Sequence, residues 1–228
     1  MSQPDLNVPW RDVVKFIRQL NHDLRNHLNA VELQAAFLGE IVTEAEAKGE
    51  ISRLREMTGG LGADLQRLSR LVAPVQLSMM PYLAHEFVED LRAKLAADEP
   101  EQAATVEWKI SLGEEMLEID PQLLEEAFEE LFANALAHER GAGPLIFEAR
   151  KAGKSVEFAL REPKTQLDGA TEDWGLRPLA KLRHGHYALG LVRARSIFEA
   201  HHGTFRAEYD ATASLLSTSV ALPCRSGS

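Results

Sequence analysis

The feature that most constrains this chain is the stretch 9–48, where apolar residues recur at alternating spacings of three and four. With Val14 at position a of a heptad, Asn21 and Ala35 complete the series. The pattern predicts a helix of about 40 residues, roughly 60 Å long. A helix of that length cannot bury its own apolar stripe, so it needs a partner element. Its a and d positions are Val14, Ile17, Asn21, Leu24, Leu28, Val31, Ala35, Leu38 and Val42.

A second amphipathic run supplies that partner. Lys48-Gly49-Glu50 is a turn signal, and apolar residues then recur over residues 51–72, before Pro74. This order predicts an antiparallel helical hairpin, with the glycines of residues 59–62 as a weak point in its second arm. Two helices alone leave apolar surface exposed. The sequence therefore favours a homodimer in which two hairpins form a four-helix bundle.

After residue 75 the pattern changes to alternating helices and strands. Asp120 is a suitable N-cap for a helix that opens at Pro121. Residues 165–187 are expected to be irregular. The prediction is an α+β chain with two domains: a helical hairpin at 1–75 and a two-layer α/β sandwich at 76–228. Its strands are expected at 106–112, 116–119, 145–149, 156–160, 204–209 and 216–222, and its helices at 82–97, 121–139 and 189–202.

Composition argues against several classes of function. The formal net charge of -10 argues against nucleic acid as a partner, because binding phosphate backbones requires clustered Lys and Arg. Apolar runs are short and broken by charges, so we expect no membrane-spanning helix or signal peptide, and a cytoplasmic location. Cys224 is the single cysteine, which excludes an intramolecular disulfide and a metal site built on several thiolates.

The first helix carries an unusual polar segment at residues 20–31, LNHDLRNHLNAV. Asn and Asp are poor residues for a helix interior, which indicates a role other than helix stability. The heptad places His22, Asp23, Asn26 and Asn29 on the outward face, with His22 and Asn26 one turn apart. An exposed imidazole beside a carboxylate suits nucleophilic phosphoryl chemistry. The alternative is an incidental polar cluster on a solvated helix.

This segment resembles the H-box of sensor histidine kinases, a phosphoacceptor His followed by an acid, Leu-Arg, a Thr or Asn, usually a Pro, and Leu-Asn. The resemblance implies that His22 is the phosphorylated residue and Asp23 its activating acid. It also implies that Asn26 positions water for dephosphorylation of the partner. His27 departs from the family, which usually has a helix-bending Pro there.

A second block, EAFEELFANALAH at residues 126–138, resembles the N-box of the ATP-binding domain in the same family. The match places Glu130 and Asn134 in that motif. The resemblance implies that Asn134 would hold the magnesium ion of a bound nucleotide, and a carboxamide oxygen suits a hard cation. The alternative is an ordinary polar residue in a helix.

The remaining nucleotide-binding motifs are eroded. Glu162 stands where the family has an Asp that contacts adenine, and the two glycines that follow are absent. In the glycine-rich motif at residues 186–191, only Gly190 survives, so the glycines that cradle phosphate at a helix N-terminus are mostly replaced. The histidines at positions 184, 186, 201 and 202 form no clear metal-ligand set. We therefore expect a retained fold with relaxed nucleotide binding.

The main hypothesis is a histidine phosphotransferase of a two-component phosphorelay, which exchanges a phosphoryl group between His22 and the aspartates of response-regulator receiver domains. No cofactor is expected in that case. One alternative is an ATP-dependent histidine kinase that autophosphorylates His22, using ATP and magnesium at Glu130, Asn134, Glu162 and Gly190. A second alternative is a non-catalytic module that binds response regulators or a sigma-factor partner.

Overall fold

The computed structural model describes residues 8–137, 140–167, 171–178 and 189–225. The chain divides into two compact units, Met1–Pro74 and Val75–Ser228. The first unit is all helical, and the second combines helices with strands. The α+β class and the order of a helical hairpin followed by an α/β domain are confirmed.

The first unit is an antiparallel pair of helices, α1 (Trp10–Ile41) and α2 (Ala45–Leu71). The turn between them lies at residues 42–44, so the prediction of a turn at Lys48-Gly49-Glu50 is wrong. Val42 and Thr43 are β-branched and favour extended backbone, and the ψ angle of Val42 is 132°. Gly49 lies inside α2 among good helix formers, where one glycine costs only about 1 kcal/mol. Packing against α1 can offset that cost.

Few residues on the inner face of the hairpin are buried. The buried helical residues are Asn21 and Ala35 of α1, and Thr58 and Leu65 of α2. Large apolar side chains elsewhere on both helices remain exposed in the single chain. The hairpin therefore has apolar surface that its own two helices do not cover. The larger exposed side chains are Phe16, Leu20, Leu24, Val31, Leu33, Phe37, Leu38 and Ile41 of α1, and Leu54, Met57 and Leu61 of α2.

The second unit is built on a five-stranded sheet with strand order β2-β4-β5-β7-β6. The β2–β4 pair is parallel, and the other neighbours are antiparallel. The strands are β2 (Val106–Ser111), β4 (Leu145–Ala152), β5 (Ser155–Pro163), β6 (Thr204–Asp210) and β7 (Leu215–Pro223), and the helices are α3 (Ala84–Asp98), α4 (Pro100–Ala103), α5 (Pro121–Ala137) and α6 (Gly190–Ala200).

A separate two-stranded sheet joins β1 (Met80–Leu83) to β3 (Met116–Ile119). Residues 82–83 are therefore strand, whereas the sequence predicted helix from residue 82. Asp120 caps α5 as expected, because its Oδ1 accepts a hydrogen bond from the backbone N–H of Leu123 at 3.1 Å. Its Oδ2 accepts another from the N–H of Ser78 at 2.8 Å, which ties the start of this unit to α5.

The core of the second unit is an aromatic cluster. Phe128 of α5 lies at its centre, with ring centroids 5.2 to 5.8 Å from those of four other phenylalanines. These rings come from α3, β4, β5 and α6, so Phe128 connects the helices to the sheet. The four are Phe87, Phe147, Phe158 and Phe198. This core fixes the position of α5, which carries the second predicted motif.

Candidate functional site

The polar segment of α1 presents His22 to solvent. The side chain of His22 is 69% exposed and that of Asp23 is 54% exposed. His22 Nδ1 lies 3.2 Å from Asp23 Oδ1 and 3.4 Å from Asn26 Nδ2. A carboxylate can only accept, so the stronger contact places the proton on Nδ1, and Nε2 keeps its lone pair. The three predicted residues thus lie together, with a nucleophilic nitrogen exposed.

Asp23 is held in its ionised form. The hydrogen bond from His22, and then that from Gln19, keep the pKa of the Asp23 carboxyl below its ordinary value. Gln19 Nε2 donates to Asp23 Oδ1 at 2.9 Å. Gln19 precedes Asp23 by one helical turn, so the contact follows from α-helical spacing. An anion next to Nδ1 also stabilises positive charge on the ring.

The residue before His22 anchors this site to the second helix. Asn21 is 3% exposed, and its Nδ2 donates to the Leu65 carbonyl at 3.3 Å and to Ser69 Oγ at 3.0 Å. A buried carboxamide with these partners fixes the register of the two helices. Asn21 faces α2. His22, the next residue, lies about 100° further around the helix and therefore faces away from α2.

A second candidate site is a cleft between α5 and the sheet, where Asn134 and Glu162 line the same cavity. Its volume is about 10 Å³, which is at most the space of one water molecule. Trp174, from the turn at residues 171–178, closes one side of it. Among the described residues, its lining is Leu131, Asn134, Ala135, Leu160, Glu162, Trp174, Leu216 and Thr218.

The carboxylate in this cleft is already paired. Lys164 Nζ donates to Glu162 Oε1 at 2.6 Å, and both side chains are largely buried. Burial raises the pKa of Glu162, and the hydrogen bond from Lys164 opposes that rise. Sequence reasoning missed Lys164. The available signal was that Glu162 and Lys164 are two positions apart, because alternate residues of an extended segment share a face.

The other predicted pair, Glu130 and Gly190, meets at the N-terminus of α6. A Cβ on Gly190 would collide with Glu130 Oε2, so a carboxylate lies against the backbone that begins this helix. Phosphate binding favours such an end because its N–H groups are unpaired and its dipole is positive. Here an internal anion occupies the position. Residues 186–188 of the predicted glycine-rich motif, and His138, lie outside the described residues.

These observations test whether the cleft fits magnesium and ATP, which the resemblance implies for Glu130, Asn134, Glu162 and Gly190. A cavity of about 10 Å³ admits no purine ring. Glu162 is neutralised by Lys164, and the Glu130 carboxylate lies against Gly190 at the helix N-terminus, where phosphates would have to bind. As they are arranged, the described residues of this cleft do not fit a nucleotide.

No metal cluster takes the place of a nucleotide site. Within the described ranges, no group of three or more His, Cys, Asp or Glu residues is arranged to hold a metal ion. Both ring nitrogens of His201 have protein partners: Nδ1 lies 2.8 Å from the Ile197 carbonyl, and Nε2 accepts the N–H of Asp120 at 3.0 Å. The histidines at 184 and 186 lie outside the described residues.

The hairpin and the α/β domain together define the class of fold: the chain has the fold of a histidine-kinase core. The solved structure of full-length ShkA in complex with AMPPNP matches with a TM-score of 0.71 and 16% identity over 94% of this chain. This chain covers only 46% of ShkA, less than half its length.

Two further structures give the same fold. The Acinetobacter baumannii histidine kinase AdeS matches with a TM-score of 0.54 and 20% identity, over 90% of this chain and 98% of AdeS. The mycobacterial sensor histidine kinase MprB matches at 0.52 and 13% identity, over 65% of this chain and 99% of MprB. No family model and no curated protein matches the sequence. Among the described residues, no helix is long and apolar enough to cross a membrane.

Proposed function

We propose that this protein is a histidine phosphotransferase of a two-component phosphorelay, in which His22 exchanges a phosphoryl group with receiver-domain aspartates. The observation that carries the proposal is the arrangement of His22. Its Nδ1 is engaged by Asp23 at 3.2 Å, while the ring is exposed on a helical hairpin of the histidine-kinase fold. An exposed imidazole oriented by a carboxylate is the minimal machinery for accepting a phosphoryl group.

The transfer follows from that arrangement. The lone pair of His22 Nε2 attacks the phosphorus of an aspartyl phosphate, the bond from phosphorus to the acyl oxygen breaks, and the aspartate carboxylate leaves. The ring keeps its Nδ1 proton and becomes a phosphorylated imidazolium, whose positive charge Asp23 stabilises. The reverse reaction passes the group to another receiver. Asn26 lies one turn along the same face and is the candidate for positioning water.

The source of the phosphoryl group separates this proposal from the kinase alternative. A kinase would need a nucleotide in the second domain, where the cavity measures about 10 Å³ and Glu162 is paired with Lys164. A phosphotransferase needs only access to His22. The exposure of His22 and the filling of the cleft therefore support the same function.

A homodimer is part of the proposal. Leu20, Leu24, Val31 and Leu38 are exposed in the single chain, and their spacings of four and seven place them along one side of α1. That side differs from the one that bears His22 and Asn26. A second copy would bury this apolar stripe and form the four-helix bundle.

The dimer is tested with a matched pair of substitutions. Val31 and Leu33 are both exposed, but two helical positions set them about 160° apart. We expect Val31→Glu to convert a dimer to a monomer in light scattering, whereas Leu33→Glu keeps the dimer. A monomeric wild type at micromolar concentration would contradict the four-helix bundle.

The phosphotransfer is tested with a panel of receiver domains labelled by radioactive acetyl phosphate. We expect label to move to this protein as an acid-labile, base-stable phosphoramidate. His22→Ala should abolish the transfer, and His27→Ala, an exposed histidine five residues along the same helix, should preserve it.

The outcomes separate the three hypotheses. Label acquired directly from radioactive ATP and lost in His22→Ala would favour the kinase. Receiver binding without any transfer would leave the non-catalytic module. Transfer that persists in His22→Ala would refute the assignment of His22.

A further inference from the structure

The turn at residues 171–178 places an indole ring against the wall of the cleft described above. Trp174 is half-buried, packs against the hydrophobic core, and lines the cleft together with Asn134 of α5 and Thr218 of β7. We propose that Trp174 is the resident occupant of this cleft, in the place that the resemblance reserves for an adenine ring, so that the second domain works without nucleotide.

The shape of the side chain fits that role. Indole and purine are both flat fused bicyclic rings. The lining offers Leu131, Ala135, Leu160 and Leu216 as apolar contacts for such a ring. With Trp174 present, only about 10 Å³ remains open, so the ring and the cleft fit each other closely.

The turn that carries Trp174 is firmly attached to α6. Arg195 Nη1 donates to the Trp174 carbonyl at 3.0 Å, and the Trp174 N–H donates to the Thr171 carbonyl at 3.0 Å. Gly175 has φ of +72°, and a Cβ there would lie 2.7 Å from the Leu191 carbonyl oxygen and 3.0 Å from Arg195 Cβ. Only glycine allows this approach. The backbone is thus shaped to hold the indole in place.

The charges around the cleft agree with a permanent occupant. Lys164 neutralises Glu162, and Glu130 lies over the backbone of Gly190 at the start of α6. Both groups that would meet a nucleotide are therefore engaged within the chain. A neutral ring such as indole requires neither a free carboxylate nor an anion site.

The inference also predicts what the vacated cleft would bind. Removal of the indole leaves a slot lined by leucines, with Asn134 and Thr218 as polar groups at its edge. Such a slot suits a neutral planar heteroaromatic molecule. The assignment of Trp174 does not use the role of His22. The two are therefore tested by different measurements: phosphotransfer in His22→Ala tests the proposed function, and the Tm of Trp174→Ala with and without indole tests the occupant of the cleft.

The experiment measures thermal unfolding of the full chain. Wild type with about 1 mM AMPPNP and magnesium should show no rise in Tm, since a ligand of the folded state raises Tm by mass action. Trp174→Ala should lower Tm by roughly 5–10 °C, and indole should restore part of that loss. Leu176→Ala, an exposed residue of the same turn, is the control and should respond to neither ligand.

Several results would overturn the inference. A rise in wild-type Tm with AMPPNP and magnesium would show that the cleft opens for nucleotide. Indole that stabilises wild type as much as Trp174→Ala would show that no slot had been vacated. An unchanged Tm in Trp174→Ala would show that the ring fills nothing. Should Trp174→Ala not fold, Trp174→Leu, which retains apolar bulk, takes its place. Its Tm should fall by less than the roughly 5–10 °C expected for Trp174→Ala, and an unchanged Tm would overturn the inference.

Discussion

The hairpin and the α/β domain use their side chains in opposite ways. The hairpin buries few residues and presents His22, Asp23 and Asn26 to solvent. The α/β domain encloses a phenylalanine cluster and fills its cleft with Trp174. The side chains of the hairpin are therefore largely accessible to other molecules, whereas those of the α/β domain pack mainly against one another. Under the proposed function, the fold of the second domain is retained for its stability while the exposed helix carries the chemistry.

The largest expected effect tests the contrast between the two interiors. Phe128→Ala removes the ring at the centre of the aromatic cluster and should lower the free energy of unfolding by about 3–5 kcal/mol. Phe16→Ala removes a ring that is 65% exposed in the hairpin. This substitution should change the free energy of unfolding by less than about 0.5 kcal/mol. Urea unfolding of both variants measures the difference. Similar losses would show that a partner surface buries Phe16.

The next effect compares a buried ion pair with an exposed one. Lys164→Met leaves Glu162 charged and buried, and should cost about 2–3 kcal/mol at neutral pH. Arg55→Met removes the exposed pair in which Arg55 Nε lies 2.7 Å from Glu32 Oε1, and should cost less than about 1 kcal/mol. Urea unfolding measures both losses.

The pH dependence sharpens this prediction. Burial raises the pKa of Glu162, so its carboxyl gains a proton more readily in the folded chain than in the unfolded chain. The loss in Lys164→Met should therefore shrink as pH falls through that pKa, because protonation removes the buried charge. The double variant Glu162→Gln, Lys164→Met should recover most of the stability. A loss independent of pH would indicate a packing defect instead.

A smaller effect concerns Asn21, a buried polar anchor of the hairpin seam. Asn21→Ala removes the hydrogen bonds to Leu65 and Ser69, and should cost about 1–2 kcal/mol. Asn29→Ala, an exposed asparagine on the same helix, should cost less than about 0.5 kcal/mol. Chemical denaturation with a helical signal measures both. Equal changes in the two variants would mean that the hydrogen bonds of Asn21 add no stability beyond that of an exposed asparagine on this helix.

The smallest effect is a titration on the surface of the α/β domain. The hydrogen bond to Asp90, 2.6 Å long, raises the pKa of Tyr82 to about 12. The stability that it contributes is fully present below pH 10 and is lost as pH rises through about 12. The absorbance difference at alkaline pH between wild type and Tyr82→Phe should have its midpoint near that value. Asp90→Asn should return the midpoint towards 10, and an unaltered midpoint would contradict the assignment.

Local patterns predicted most of the fold. Heptad spacing predicted the two helices, and Asp120 with Pro121 predicted the start of α5. Gly153, with φ of +62°, lies in the turn between β4 and β5. These features depend on residues that are close in sequence. For the same reason, heptad position predicted that His22 and Asp23 face solvent.

Features that depend on distant contacts were missed. The end of α1 was missed for a different, local reason: the glycine signal at Gly49 was misleading, and the turn lies instead at the β-branched Val42 and Thr43. β1 forms because it pairs with β3, more than thirty residues away. Trp174 looked like part of an irregular segment, since its role arises only when the turn packs on α6. Sequence alone showed that the nucleotide motifs were eroded, but not what had replaced them.

The hydrogen bonds of Asn21 limit which substitutions this chain can accumulate in evolution. Because Nδ2 of Asn21 is shared by the Leu65 carbonyl and Ser69 Oγ, a change at position 69 removes a partner of position 21. Among descendants of this chain we therefore expect the two positions to vary together, with an oxygen acceptor at 69 wherever a carboxamide persists at 21. Neighbours such as His27, which make no such bridge, are free to diverge on their own.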